Sequence, residues 1–477
     1  MTTPPLWRPD EIVAATSARP VGAIGEARGV SIDTRTLQAG DLFFAIKGEV
    51  HDGHAFVRDA LGKGAAAAVV AEERAAEFEG AGPLLVADDV LEAMRRLGIA
   101  ARARSKAGIV AVTGSVGKTG TKEALRLAFE RLGPTHASVA SYNNHWGVPL
   151  TLARMPADAR YGVFEIGMNH PGEIDPLTRM VRPHVAVITT VEPVHIEFFR
   201  SIWGIADAKG EIFAGLEPGG TAVINRDNAY FERVRAHAQA SAAGRILSFG
   251  EHESADVRAE RIILKPDMSV VEARVLGTPL VYRVGAPGRH VALNSLAVLA
   301  SVKALGGDLA AAALALADLS APVGRGERTV LHAAGGAFVL IDEAFNANPA
   351  SMRAALANLA ASEPGPRGRR VAVLGDMLEL GPSGPALHRE LLEAVERSSD
   401  LVFAAGPLME NLVQALSPER RGGYAPSAAA LEPTVLANVR AGDVVMVKGS
   451  KGILVSRIVK ALKDRYGEAV GRAASKA

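Results

Sequence analysis

An apolar strand that runs directly into a glycine-cornered turn constrains this chain more than any other feature: Gly108-Ile109-Val110-Ala111-Val112, then Thr113-Gly114-Ser115-Val116-Gly117-Lys118-Thr119-Gly120. Glycines at 114 and 117 allow a bend tight enough to turn successive backbone N–H groups inward. A helix predicted over Thr121 to Leu132 adds the positive end of its dipole at the same point. Donors converging beside a lysine suit the phosphates of a nucleotide. Lys118 supplies a cation for the β- and γ-phosphates, and the Thr119 hydroxyl is a ligand for Mg²⁺. Val112 stands where the general phosphate-loop pattern has its first glycine, so the loop is of the Thr-Gly-x-x-Gly-Lys-Thr kind.

The text around the loop predicts an α/β protein of three domains. With 477 residues and 48% hydrophobic content the chain can fill several cores. Residues 1–87 carry short strand-like runs (Gly29 to Ile32, Asp41 to Ala45, Ala67 to Ala71, Pro83 to Val86) and read as a small α/β domain. Residues 88–320 contain the phosphate loop and alternate strands (Tyr161 to Ile166, His184 to Val191, Thr221 to Asn225) with helices such as Ile202 to Leu216, the pattern of a doubly wound, mostly parallel sheet. Shorter β-rich stretches between Gly244 and Tyr282 predict added antiparallel strands, and an Ala-rich helical pair, Asn294 to Ala304 and Asp308 to Ala317, closes the unit. Ala321 to Arg328, rich in Gly, Pro and charge, reads as a hinge. A third, Rossmann-like α/β domain over 321–477 then has strands at Phe338 to Asp342, Arg370 to Leu374, Leu401 to Ala405 and Asp443 to Lys448.

Charge and cysteine usage remove several functions. Fifty-three Lys+Arg against 52 Asp+Glu leave a net charge of +1, which argues against nucleic acid as a partner. With no cysteine there is no disulfide, thiolate metal site or cysteine nucleophile. The N-terminus lacks a signal-peptide apolar segment and no apolar run approaches the roughly 20 residues needed to span a bilayer. The expectation is a cytoplasmic monomer without membrane insertion.

What completes the metal site is less marked. Glu165, near the end of the strand Val163-Phe164-Glu165-Ile166, is the candidate Mg²⁺ ligand, against the reading of a solvated strand-end carboxylate. His195 follows the next strand and would reach the rim of the nucleotide site; taken alone, a histidine there is more often a structural loop residue. Lys209, on a helix, reads by default as a surface charge. Asn225-Arg226-Asp227-Asn228 lacks the lysine of a base-reading Asn-Lys-x-Asp motif, which disfavours a phosphate-loop switch protein.

The combination of Thr113 to Thr119, Tyr142-Asn143-Asn144-His145-Trp146-Gly147-Val148-Pro149, Phe164-Glu165-Ile166-Gly167-Met168-Asn169, His195-Ile196-Glu197 and Ala208-Lys209-Gly210-Glu211 resembles the Mur ligases of bacterial peptidoglycan synthesis. The first domain continues the resemblance in Ser31-Ile32-Asp33-Thr34-Arg35, Gly40 to Gly48 and Asp52-Gly53-His54. Asp342 to Met352 and Gly375-Asp376-Met377-Leu378-Glu379-Leu380-Gly381 point to the branch that joins D-alanyl-D-alanine to UDP-N-acetylmuramoyl-tripeptide with ATP. The resemblance implies that Lys209 is carbamylated, that Thr119 and Glu165 hold one Mg²⁺ and that His195 and modified Lys209 hold another. It implies Ser31, Thr34 and Arg35 for the UDP-muramoyl end, with Asn143, Asn144 and Lys448 as further substrate contacts. It adds Asn294, Arg325, Asp342 and Asn346 to the nucleotide site. Val194, Ala344 and Phe345 depart from the family's commonest text, the last two lacking hydroxyls of Ser and Tyr. The alternatives are a sister ligase adding a single amino acid, a folate-polyglutamylating enzyme and a silent UDP-sugar sensor.

Overall fold

The computed structural model describes residues 4–48, 50–139, 141–194, 196–199 and 201–467. Among these, three sheets account for the strands. The first contains β1 (Arg19–Val21), β2 (Gly29–Ser31), β3 (Asp41–Phe44), β4 (Ala67–Ala71) and β5 (Leu84–Ala87), in the order β1-β5-β4-β3-β2. β2 to β5 pair in parallel, and their apolar runs, buried along almost every residue, are what a sheet covered on both faces requires. β1, wholly exposed and paired antiparallel, was not evident in the sequence.

The helix Val90–Arg104 leaves this sheet and belongs to two units at once. Asp89 caps it by accepting the Glu92 N–H at 2.9 Å. Val90, Met94, Leu97 and Ala101, at helical spacing, join one apolar cluster with Val69 and Leu85 of the first sheet and with Leu150 and Ala153 of the central unit. Trp7 locks the same junction: its indole N–H donates to Ala153 O at 2.8 Å, and the Arg104 guanidinium lies 3.5 Å over its ring.

The central sheet has nine strands: β6 (Gly108–Thr113), β7 (Thr135–Ala137), β8 (Tyr161–Glu165), β9 (Val185–Ile188), β10 (Thr221–Asn225), β11 (Arg245–Gly250), β12 (Val257–Leu264), β13 (Ser269–Val275) and β14 (Thr278–Val284). Their order is β14-β13-β12-β11-β10-β9-β6-β8-β7, parallel as far as β12, with β13 and β14 adding the expected antiparallel strands. Alternation along β6 divides the core. Val110 and Val112 pack with Leu125, Phe129 and Leu296 on one face, while Ile109 and Ala111 pack with Phe164 and Ile205 on the other. After β6 the chain moves to β7 and β8 on one side and then to β9 on the other, so the phosphate loop occupies the switch point where such sheets bind ligands. The helix after it starts at Lys118 and ends at Glu130, three residues earlier than the predicted start, because Gly117 itself forms the N-terminal boundary.

The third sheet comprises β15 (Glu327–Ala333), β16 (Gly336–Glu343), β17 (Arg370–Gly375), β18 (Leu401–Ala405), β19 (Arg421–Ala425) and β20 (Val444–Lys448), in the order β15-β16-β20-β17-β18-β19. β15 and β16 form an antiparallel hairpin, so part of the expected hinge, from Glu327 onward, is strand. The third unit rests on the central one through Arg328, whose Nη1 donates to Pro266 O (2.9 Å), and through Glu197 N, which donates to Glu379 O (3.4 Å).

Candidate active site

A cleft of about 390 Å³ lies between the central and third units, at the carboxyl edge of the central sheet. The phosphate loop forms its floor. Gly114 has φ +146°, and a Cβ there would run into the Thr189 hydroxyl; Gly117 has φ +87° and lies against the Asn294 side chain. Val116, Gly117, Lys118 and Gly120 line the cleft. Thr113 is buried beneath it, and the Ser115 hydroxyl, although Ser115 borders the cleft, is committed elsewhere, donating to Glu192 O (3.0 Å). Lys118 Nζ folds back to donate to Gly114 O at 2.6 Å.

Glu165 closes the end of β8 and is fully buried. Asn143 Nδ2 donates to its Oε1 at 2.7 Å, while Oε2, equally buried, has no hydrogen-bond partner. An orphaned carboxyl oxygen costs free energy unless something electropositive completes it. Thr119 Oγ1 lies 3.4 Å from Ser141 Oγ, and Arg325 Nη2 donates to the same Ser141 oxygen at 3.2 Å. Ser141 thus joins the loop helix to the segment entering the third unit. Its lone hydroxyl, one residue before the Tyr142 run, gave no sign of this in the sequence.

Lys118 and Arg325 make the site electropositive; Lys209 does not line the cleft and is buried close enough to Lys118 to feel its charge. Burial pushes the Lys118 pKa down, with Glu165 opposing and Arg325 adding to the effect. Burial, then the charge of Lys118, holds the Lys209 amine well below the ordinary lysine range. Lys209 is only 2% exposed, so the surface-charge reading of that residue fails. Burial lowers Arg325 as well, against Glu165 and Glu343, and its guanidinium stacks 3.9 Å over Phe345. Cations sunk together in a cleft are suited to a polyanion. Arg325→Ala is expected to lower turnover about a hundredfold, with Arg325→Lys regaining little because lysine supplies no planar fork; steady-state kinetics with saturating nucleotide measure this.

The other expected residues divide. Asn294, Asn346 and Lys448 line the cleft; Lys448 Nζ donates to Asn346 O (2.9 Å) and Glu343 Oε2 (3.3 Å). Asp342 does not line it. Strand alternation gives Ile341 and Glu343 to the cleft, and the Asp342 carboxyl instead accepts the Ala344 N–H at 3.0 Å. Asn144 is also absent from the lining, because its Oδ1 is used on the Gly147 N–H (2.9 Å) at the start of the helix Gly147–Ala153. Ser31, Thr34 and Arg35 stand on the first unit outside this cleft: Ser31 Oγ donates to Asp33 O (3.1 Å), Thr34 O accepts from Lys63, and Arg35, exposed, forks onto Asp33. His195 lies outside the described residues. Glu343, His290 and Asn358 line the cleft without having been expected there.

The residue set fits Mg²⁺. Among the described residues no cluster of three or more histidine or acidic side chains converges. A cation here would therefore rely on Glu165, Thr119 and phosphate or water oxygens, the mixed oxygen set that Mg²⁺ takes beside a nucleotide.

Comparison with known proteins agrees with this geometry. Family descriptions match over residues 26–124 (Mur ligase family, catalytic domain), 112–302 (Mur ligase middle domain) and 324–451 (Mur ligase, glutamate ligase domain). A UDP-N-acetylmuramoyl-tripeptide–D-alanyl-D-alanine ligase of Rickettsia prowazekii is 31% identical over 90% of this chain and 94% of its own length. One of Escherichia coli is 32% identical over 91% and 93%. A crystal structure of MurF from Acinetobacter baumannii superposes with TM-score 0.82 at 28% identity, covering 96% of this chain and 99% of that one. The MurF ligase of Thermotoga maritima in complex with ADP gives 0.73 at 25%, covering 91% and 97%. Joined to a phosphate loop at the sheet's switch point and a cationic cleft between two units, this end-to-end similarity establishes that the chain belongs to the Mur ligase family.

Proposed function

We propose that the chain is the ATP-dependent ligase that joins D-alanyl-D-alanine to UDP-N-acetylmuramoyl-tripeptide, giving the pentapeptide, ADP and phosphate. The observation that carries this reading is the similarity, at about nine-tenths coverage, to ligases named for those two substrates. The first domain (1–87) receives the UDP-muramoyl end, with Ser31, Thr34 and Arg35 as its polar contacts. The central domain (88–320) holds ATP and the third (321–477) closes over it. No helix of the described residues is long and apolar enough to cross a membrane, in keeping with action on nucleotide-linked precursors in the cytoplasm.

In this reading the tripeptide's terminal carboxylate attacks the γ-phosphorus of ATP. ADP leaves, and an acyl phosphate forms whose phosphate is a far better leaving group than oxide. The uncharged amine of D-alanyl-D-alanine then adds to the acyl carbon, and the tetrahedral intermediate loses phosphate and a proton to give the amide. Lys118 and Arg325 offset the charge on the transferring phosphoryl group, and the loop's N–H groups hold the remaining phosphates. Thr119 and Glu165, and on the family's pattern His195 with carbamylated Lys209, would hold Mg²⁺. Bound there, the metal neutralises phosphate charge. The chain's own contribution is alignment of carboxylate, phosphorus and amine between domains that close together.

ADP release in the presence of ATP, Mg²⁺ and UDP-N-acetylmuramoyl-tripeptide tests the assignment, with D-alanyl-D-alanine, D-alanine and meso-diaminopimelate offered separately. Sustained release is expected with the dipeptide alone. Release with a single amino acid and none with the dipeptide would move the chain to a sister ligase.

A further inference from the structure

The Asn225-Arg226-Asp227-Asn228 run, useless for reading a base, has other work in the fold. It follows β10, next to β9, and both asparagine side chains address the segment 189–192 that leaves β9. Asn225 Nδ2 donates to Thr189 O at 2.9 Å. Asn228 Nδ2 donates to Thr190 Oγ1 and to Val191 O, both at 2.9 Å. That segment is bonded in turn to the phosphate loop. Ser115 N donates to Thr190 O (2.8 Å), Ser115 Oγ donates to Glu192 O (3.0 Å) and accepts from Glu192 N (2.9 Å), and Thr189 Oγ1 donates to Val116 O (2.6 Å). Segment 189–192 is therefore a strap, tied to the two residues between the loop's glycines and to the two asparagines.

A phosphate cradle works only if its N–H groups are aimed before the ligand arrives. Gly114 and Gly117, both at positive φ, give the loop the freedom to bend and none of the stiffness to stay aimed. Stiffness has to come from outside, and the strap supplies it. Beyond the end of β9 only Thr189 N, which donates to Thr113 O at 3.0 Å, continues the pairing with β6, so residues 190–192 have no sheet ladder to fix them. We propose that Asn225 and Asn228 are positioning residues for the nucleotide loop, acting through the strap. Each asparagine divides the task within its own side chain. The carbonyl accepts a local N–H, Asp227 N for Asn225 and Tyr230 N for Asn228, both at 2.9 Å, and so fixes the rotamer. The amide nitrogen, thus aimed, reaches the strap.

That division makes the test selective. Asn225→Asp/Asn228→Asp keeps the acceptors of both local turns and removes the donors to Thr189 O and Val191 O. Asn225→Ala/Asn228→Ala removes both functions. The readout is equilibrium binding of fluorescent N-methylanthraniloyl-ADP to the full chain in EDTA, which needs neither metal nor turnover. The Asp pair is expected to bind at least about tenfold more weakly than wild type, as weakly as the Ala pair. If the Asp pair binds like wild type while the Ala pair does not, the asparagines serve only their own turns and the proposal is overturned. Should the Asp pair fail to fold by circular dichroism, Ser115→Ala carries the test. It cuts the loop's side-chain bonds to the strap with both asparagines intact; weaker binding is expected and unchanged binding overturns the proposal. The inference rests on reading residues 113–120 as a nucleotide cradle. Failure of that reading would be distinct, because wild type itself would then not bind.

Discussion

Lys209→Ala should lose turnover by about three orders of magnitude, and acetate or formate added at high concentration should return part of it. The expectation follows from where the amine is. Lys209 sits near the end of the helix Ile202–Gly210 among buried Ile205, Ala206 and Ala208, and is itself 2% exposed. Burial first and the Lys118 charge second hold its pKa far under the usual value. The uncharged amine is the form that captures CO₂, burial and the Lys118 charge both favour that form, and capture gives an anion that attracts Lys118. A cavity left by alanine admits a small carboxylate in the same place. Before modification the linkage has a definite sign. The unfolded chain holds a proton on Lys209 that the folded chain has shed, so folding stability from this group rises with pH between the depressed value and 10.5. ADP release with and without added carboxylate measures the effect, and native mass spectrometry should find one CO₂ on wild type and none on the variant. Full activity of the unsupplemented variant would remove the modification from the mechanism.

Glu165→Gln should be comparably severe, about a thousandfold in kcat, with a raised Mg²⁺ requirement and little change in KM for the dipeptide. The substitution is nearly isosteric. It can still accept from Asn143 at Oε1, but it places an N–H₂ donor where the orphaned Oε2 stands. If Oε2 is a metal ligand, a donor there both removes the charge and opposes the cation. If the oxygen is merely an unpaired acceptor, the amide relieves a cost, and the variant would be more stable with ordinary kinetics. Titration of rate against Mg²⁺ separates the two outcomes, since unchanged half-saturation would free Glu165 from metal binding.

Periodicity made the sheets legible wherever strands were apolar and buried. β3, β4, β6, β8, β10, β17, β18 and β20 all fall within a residue or two of their predicted ranges, because buried parallel strands must be continuous apolar runs. β1, an exposed edge strand, carried no such signal. The first two residues of β15 fell within the hinge reading and the rest gave no strand signal, because Gly-Glu-Arg text opens it and its residues are mostly half-exposed. At the site, the loop was readable because its chemistry requires particular residues in a row. Lys209 was recoverable only through resemblance, since a buried lysine and a surface lysine are the same letter. Asp342 and Asn144 stand outside the cleft lining for different physical reasons: strand alternation turns one away from it, and a helix start engages the other. Ser141 depends on contacts made across 184 residues to Arg325, which no local pattern encodes.

The sharing of helix Val90–Arg104 between the first sheet and the central unit, with Trp7 pinned to Ala153, has a mechanical consequence. On the proposed function, the unit assigned to the nucleotide-sugar and the unit assigned to the triphosphate are packed as one body, and closure would fall to the third about the turn at Gly324, which has φ +72°. With that placement the span from a substrate's uridine to its reacting carboxyl would be set by a fixed ruler, leaving the approach of the incoming amine as the part of the geometry that motion can adjust.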